Sequence, residues 1–354
     1  MNKLIPIITL CLCSTVAKAQ TEVSQYQPGV TVEGVTYFLP STALRITVEA
    51  EKTVVTPGEF AKYAFRYLRL QDVPTEQSTT WKIKNISIEP YGTPDKTKGY
   101  SILLKGRTSA PLVSLTRDGI LLSINAQKAE TPLPDVPQGV AAPTLPNARD
   151  YMDQEILSAG STAKMAELCA QKIYDVRESR NDLIQGEASN TPKDGAQLQI
   201  MLDQLDQQTD ALQRLFAGST QTSTEYFSVD FVPTKETDKQ LLLRFSQIDG
   251  VVDSDDLSGS PVYISIQSTG SLPNSSQNAD SDKKKAKLEK GVRYNVPARE
   301  KVTVFDADYD YCSQEVSMGQ FGYVEILGES LFDKKTTTKA YFYQQNGGLE
   351  KIEQ

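Results

Sequence analysis

The sequence predicts an α+β fold, predominantly β, in which an N-terminal α+β domain, a long antiparallel helical hairpin and a C-terminal β-sandwich or barrel-like domain succeed one another. Three observations predict it. Short runs with β-branched or aromatic residues at alternate positions fill Thr36 to about Asn125, and the same alternation returns from about Ser223. Between them, apolar residues recur at helical spacing over two long segments. A proline-rich stretch separates the first β region from those helices. The expected organisation is a signal peptide at 1–19, a β-rich domain at 20–130, a linker at 131–150, the hairpin at 151–222 and a β-domain at 223–354 that holds a disordered loop at 269–290.

Lys3, the apolar stretch Leu4 to Cys13 and the small-x-small pattern Ala17-Lys18-Ala19 form the signal, which places cleavage between Ala19 and Gln20. Cys11 and Cys13 follow Leu10 and Leu12, whereas lipoprotein processing needs a small residue before the cysteine. No later segment approaches the ~18 consecutive apolar residues of a membrane-spanning helix. The expected location is therefore periplasmic, or cell surface or secreted.

The first β region contains TYFLP, ALRITVEAE, WKIKNISIEP, YSILLKG, PLVSLT and ILLSIN, with a hairpin turn at Thr116-Arg117-Asp118-Gly119. One segment differs: Phe60, Tyr63, Ala64, Tyr67 and Leu68 fall at helical spacing after Pro57-Gly58. Pro132, Pro134, Pro137, Pro143 and Pro146 then fix φ and remove backbone donors, so residues 131–150 read as an extended spacer. In the first helix Met165, Leu168, Cys169, Ile173, Val176, Leu183 and Ile184 share a face, and Gly186 ends it. The second helix is expected to start with Thr191 as N-cap, Pro192 at its first position and Asp194 three residues after the cap. Its stripe is Leu198, Met201, Leu202, Leu205, Leu212, Leu215 and Phe216, closed by Gly218, and the hairpin would be roughly 35 Å long. Seven further strands follow: EYFSVDFV, LLLRFSQID, PVYISIQS, VRYNVP, KVTVFDAD, FGYVEIL and TTKAYFYQQ. Lys283, Lys284, Lys285 and Lys287 lie in the loop between the third and fourth of these, a solvated run that could otherwise dock on an acidic surface.

The formal charge is −8, and removal of Lys3 and Lys18 with the signal leaves −10, which disfavours a nucleic-acid partner. There is no histidine. That absence excludes Ser-His-Asp and Cys-His hydrolases, HExxH zinc enzymes and His-ligated haem or copper sites. Glycine-rich phosphate loops and a Cys-x-x-Cys pair are also missing from the mature sequence. Cys169 and Cys312 are the two cysteines left after processing, either bridged or as two buried thiols.

Ser161-Thr162-Ala163-Lys164 has the Ser-x-x-Lys spacing of penicillin-binding enzymes. Ser179-Arg180-Asn181, however, falls on the same predicted helix about 27 Å away, and a Lys-Thr-Gly element is absent, so Ser161 reads as an N-cap. Asp253, Asp255 and Asp256, and Asp306, Asp308 and Asp310, offer oxygen ligands of the kind calcium takes. The second set has Tyr311 where the calcium loop needs glycine and Ser317 where it needs a bidentate glutamate, and polar turns account for both sets. Paired carboxylates for glycoside cleavage come from distant positions, so the sequence cannot test them. Sixteen tyrosines and Trp81 could line a sugar-binding surface, although core or cross-strand packing is the default in strand patterns. No catalytic, cofactor-binding or metal-binding residue is assigned.

The hairpin, ILSAGSTAKMAELCAQKIYDVRESRNDLIQGEASNTPKDGAQLQIMLDQLDQQTDALQRLFAG, resembles the central signature of an uncharacterised family of exported proteins from Bacteroidota, the forty-eight thirty-one domain of unknown function. YFLPSTALRITVEAEKTVVTPGEFAKYAFRYL upstream, and LLLRFSQIDGVVDSDDLSGSPVYI and GQFGYVEILGESLF downstream, resemble its flanking blocks. The resemblance implies export and a Gram-negative envelope setting, with no assigned activity.

The expected function is a non-catalytic periplasmic or surface interaction module that binds a protein or a glycan, with the hairpin turn from Gly186 to Asp194, including Glu187, as the first surface to test. The alternatives are a carboxylate-based glycoside hydrolase and an envelope assembly or scaffold subunit.

Overall fold

The computed structural model describes residues 22–26, 34–103, 112–190, 192, 194–270, 272, 291–328, 331 and 338–354. The signal peptide, Thr191 and most of the loop expected at 269–290 lie outside the described residues. Along the chain come β1 (Glu22–Gln25), β2 (Gly34–Thr56), α1 (Ala64–Leu68), β3 (Ser78–Leu103), β4 (Val113–Leu115) and β5 (Leu121–Ile124). Then follow α2 (Gln154–Leu157), α3 (Thr162–Gln185) and α4 (Gly195–Ala217). The rest is β6 (Ser219–Phe231), β7 (Thr237–Ser246), β8 (Gly250–Val252), β9 (Ser260–Ser268), β10 (Val292–Phe305), β11 (Asp310–Leu327), β12 (Lys339–Phe342) and β13 (Leu349–Glu353). The fold is α+β and predominantly β, as the sequence predicts.

Among the described residues three antiparallel sheets form, in the orders β1-β3-β2-β6, β11-β10-β9-β7-β8 and β13-β12-β5-β4. Alternation along β2 turns Leu44, Ile46, Val48 and Ala50 to one side, where they join Ile264, Val302 and Val304 of the second sheet in the main core. Each of the leucine, isoleucine and valine side chains contributes about 1.5–3 kcal/mol by leaving water. Further towards its start, β2 supplies Tyr37 and Leu39 to a second core shared with Val292, Ile124 and Phe342. Long strands therefore serve two cores, and they change direction at irregularities in their ladders. In the β2–β3 pair the register shifts between Phe38 and Pro40, and in the β10–β11 pair between Val296 and Ala298, on either side of Pro297. Proline cannot donate to a ladder, so these are the places where the strands can bend.

The strands interleave. β6, from beyond the hairpin, pairs along β2 from Leu44↔Phe231 to Thr56↔Ser219, and β5 pairs with β12 at Ala340↔Ile124. The expected boundary between 222 and 223 thus falls inside β6, and the ranges 20–130 and 223–354 contribute strands to common sheets. VRYNVP and KVTVFDAD form one strand rather than two, because the bulge at Pro297 kinks the ladder without ending it.

The helices make a third layer. The Ser161 hydroxyl accepts the Lys164 N–H at 3.3 Å, and Gly186, at φ 76°, closes α3. α4 begins later than the Thr191–Pro192 expectation: Asp194 is the N-cap, its carboxylate accepting the Ala196 N–H at 3.2 Å. Arg180 bonds Asp206 at 2.6 and 3.1 Å, and Arg177 bonds Gln213 at 2.9 Å, joining the two helices. Cys169, Ile173, Leu212 and Phe216 bury against Phe60 and Ala64, so the helical segment near residue 64 packs on the hairpin. Ile184 and Met201 are exposed, at 55% and 40%, because the paired helices outrun the layer that covers them.

Residues 131–147 are extended but not free. Val140 and Thr224 exchange backbone hydrogen bonds at 2.9 Å in both directions. The Pro134, Pro143 and Pro146 carbonyls accept from Arg45, Gln221 and Arg214. The stretch is a strap over the outer edge of β6, an edge that would otherwise offer unpaired backbone groups.

Candidate functional site

The bend in the β10–β11 ladder opens a cavity of about 430 Å³ on the protein surface. Val296 pairs with Tyr323 and Ala298 with Met318, so Gly319 to Gly322 form extra length on β11. Backbone packs closely there: a Cβ on Gly322 would collide with the Val296 carbonyl oxygen, and one on Gly319 with the Asn346 carbonyl oxygen. Tyr294 lies directly across from Glu325 and Val296 across from Tyr323, which puts these residues on one face of the strand pair. The turn between β12 and β13 completes the walls with Tyr343 and Asn346.

This turn is held firmly. Tyr343 N–H donates to the Gly348 carbonyl and Gly347 N–H to the Tyr343 carbonyl, both at 2.8 Å, while the Asn346 side chain accepts the Gly348 N–H at 2.9 Å. Asn346 Nδ2 reaches the Ser317 carbonyl at 3.3 Å. Beneath the cavity, Asn295 Nδ2 donates to the Pro40 and Asn346 carbonyls at 2.9 and 2.8 Å. Tyr294 donates its hydroxyl to Glu325 Oε2 at 2.8 Å and packs its ring 6.2 Å from that of Phe342. Burial, reinforced by the Glu325 carboxylate, raises the Tyr294 phenol far above its ordinary value, so it stays a donor. Tyr343, by contrast, is 45% exposed. Among the described lining residues Glu325 is the single charged group. Such a wall can stack on a ring or apolar face and can accept and donate hydrogen bonds.

The residues singled out in the sequence lie elsewhere. Ser161 caps α3, and the Lys164 ammonium pairs with Glu167 at 3.0 Å. Ser179 bonds back to the Asp175 carbonyl within the same helix. Asp256 accepts the Ser258 N–H at 2.8 Å, which lowers its carboxyl, and Arg244 pins the surrounding turn through the Ser254 and Gly259 carbonyls. Asp306 accepts from Asp308 N–H and Tyr309 N–H and, at 2.6 Å, from the Tyr311 hydroxyl. Partial burial acts to raise its carboxyl, but these three bonds together lower it. Asp310 is the first residue of β11. Among the described residues no group of three or more His, Cys, Asp or Glu side chains could hold a metal ion. Glu187 N–H closes the end of α3 on the Asp182 carbonyl. Trp81 is 8% exposed, in the main core beneath Lys52. Cys169 and Cys312 are free thiols in different cores, and desolvation, aided by Glu59 and Asp153, pushes Cys169 up to about 12.

The cavity residues were not identified from the sequence. Tyr294 and Tyr323 sit within the strand runs VRYNVP and FGYVEIL, and only the bulge between β10 and β11 brings them to the turn that carries Tyr343.

Residues 33–350 match a family model described as a domain of unknown function, DUF4831. No curated protein and no solved structure matches the chain. Among the described residues no helix is long and apolar enough to cross a membrane.

Proposed function

The chain belongs to the DUF4831 family, and from that premise we propose that it is a non-catalytic interaction module of a Gram-negative envelope, exported with loss of residues 1–19, which captures a protein or glycan partner in the cavity at the β10–β11 bend. The observation that carries this reading is the cavity itself: an exposed tyrosine on a rigid turn beside a wall to which β11 contributes Tyr323 and Glu325. Binding sites are commonly apolar or aromatic clefts with a few convergent polar groups, set on loops that a rigid scaffold positions. Cleavage of a glycoside needs two carboxylates about 5–10 Å apart, and the described lining supplies Glu325 alone, which favours binding over hydrolysis.

The test is capture from the solubilised envelope of the source organism by the mature protein and by a Tyr343→Ala/Tyr323→Ala variant. The expected result is a protein or glycan retained by the first and lost by the second, with equal melting temperatures. Capture that is indifferent to the variant would refute the cavity as the site. Release of new reducing ends from a glycan, abolished by Glu325→Gln, would refute the non-catalytic reading.

A further inference from the structure

We infer that the proline strap, residues 134–146, is a guard strand: it occupies the outer edge of β6 without completing a ladder there, and once it is displaced that edge pairs with β6 of a second copy of this chain. The strap lies in strand register. Val140 and Thr224 form an antiparallel bridge, and counting along both segments from that pair puts Pro143 opposite Gln221 and Pro134 opposite Asp230. The Gln221 side chain does donate to the Pro143 carbonyl, and Arg45, the ladder partner of Asp230, donates to the Pro134 carbonyl. The two hydrogen bonds of the Val140–Thr224 pair are nevertheless the only backbone bonds between strap and strand among the described residues. Alternation turns the N–H and C=O groups of Thr222, Tyr226 and Ser228 outwards with those of Thr224, and they face the strap without a backbone partner in it.

Among the described strands, β6 is the sheet edge that carries no protection of its own. The other sheet ends are β1, β4, β8, β11 and β13. β1, β4, β8 and β13 have only four, three, three and five residues, and β11 breaks its register twice against β10. β6 runs for 13 residues along β2 with no shift of register, and it holds neither lysine nor proline. A long regular edge templates pairing with another chain, and short length, bulges, lysine and proline are the means by which strands prevent it. β6 has none of these within itself, and the strap lies where they would act.

The edge suits a second copy. When β6 pairs antiparallel with itself across a two-fold axis, the outward groups of one copy meet the same groups of the other. Charge does not oppose the meeting: STQTSTEYFSVDF carries two acids, and Glu225 pairs with Lys52 at 3.8 Å and Asp230 with Arg45 at 2.8 Å. Phe227, Val229 and Phe231 lie only partly within the main core, and a neighbouring strand would cover them further. The strap does not itself become a template, because by the same alternation Pro137 and Pro143 stand where an outward N–H would be. It is also displaceable, since Val136 and Val140 are exposed and little apolar surface holds it down.

Sedimentation velocity of the mature protein and of a Gly139→Val/Val140→Pro variant tests the inference. A Cβ on Gly139 would lie 2.6 Å from the Thr224 carbonyl oxygen, and proline at 140 lacks the N–H that this oxygen accepts, so both substitutions push the strap away without altering β6. The strap variant is expected to self-associate at least about tenfold more tightly than the mature protein. Adding Thr222→Pro, which removes an outward N–H and leaves the bonds to β2, should abolish that gain. A strap variant that associates no more than the mature protein would overturn the inference, as would a gain indifferent to Thr222→Pro. So would association of the mature protein that Thr222→Pro dissolves, because the edge would then be open with the strap in place. If the strap variant does not fold, hydrogen exchange on the unaltered protein decides. The Thr224 amide, which donates to the strap, is expected to exchange at least about tenfold faster than the Phe227 amide, which donates to β2. Equal protection of the two would show the strap to be a permanent strand and end the inference.

Discussion

In the helical layer each boundary is set by a residue beside it, whereas in the β body a strand's place is set by residues far along the chain. Ser161 starts α3 and Gly186 ends it through bonds that span three or four residues. Ile46, by comparison, lies between Ile88 on one side and Val229 on the other. The difference teaches that the helices are specified by local periodicity and caps, while the sheets are specified by which apolar faces can close on one another once all the strands exist.

The largest expected effect tests whether these two regions are thermodynamically separate. Phe216 is fully buried against Phe60, and α4 leads into β6 through Gly218 with no intervening loop. Phe216→Ala should destabilise the protein by about 3–5 kcal/mol. The single tryptophan, Trp81, reports on the main β core, and far-UV circular dichroism at the helical minimum reports on the helices. The two signals should shift together in urea, and a helical transition that moves alone would show the layers to be independent.

The next tests a flaw in the β body. Glu300 is 1% exposed on the face that carries Val302 and Val304, and its Oε2 has no hydrogen-bond partner among the described residues. Desolvation first, and then the nearby Glu236 carboxylate, raise its pKa above the ordinary glutamate value. The folded state therefore holds its proton more tightly than the unfolded chain. Stability should fall as pH rises from the ordinary glutamate value through the raised one, because ionising the group in place is unfavourable. Glu300→Met should add about 1–2 kcal/mol at neutral pH and flatten that decline, as read from melting temperatures across the acid range. A variant that is less stable at neutral pH would show that the carboxylate has a partner in solution.

The smallest concerns the pairing of distant strands at their surface. Arg45 on β2 holds Asp230 on β6 through bonds of 2.8 and 3.0 Å, and this pairing, chiefly the hydrogen bond, lowers the Asp230 carboxyl below its usual 3.8. The aspartate side chain is 47% exposed, so solvent screens the pair. Asp230→Asn should cost less than about 1 kcal/mol. The wild-type contribution is present above the unfolded aspartate value and is lost as pH falls through the lowered folded one. Salt should reduce it, and a large effect in high salt would contradict the assignment to an exposed ion pair.

Much of the helical layer was legible because its signals are local. Ser161, Gly186 and Gly218 cap where the sequence places them, and the misplaced start of α4 came from reading Thr191 as the cap when Asp194, three residues on, does that work. Periodicity also overran packing: Ile184 and Met201 continue the stripe beyond the part of the hairpin that is covered. Strands were legible as runs, but their pairing was not, since alternation says which residues face inward and nothing about which strand lies alongside. The proline stretch reads correctly as extended, but its docking rests on Gln221 and Thr224 of β6, Arg45 of β2 and Arg214 of α4, none of which is near it in sequence. The cavity depends on a bulge whose sequence traces are Pro297 on β10 and the Gly319 and Gly322 pair on β11.

The interleaved strand order has a consequence for synthesis. β2 leaves the ribosome with one long side open, and the residues that will close it arrive only after both helices of the hairpin have been made. β5 waits longer still, because β12 lies near the opposite terminus. A nascent chain of this topology presents open strand margins for most of its production, and a truncation that removes β12 and β13 would leave Ile124 paired with Val113 of β4 alone.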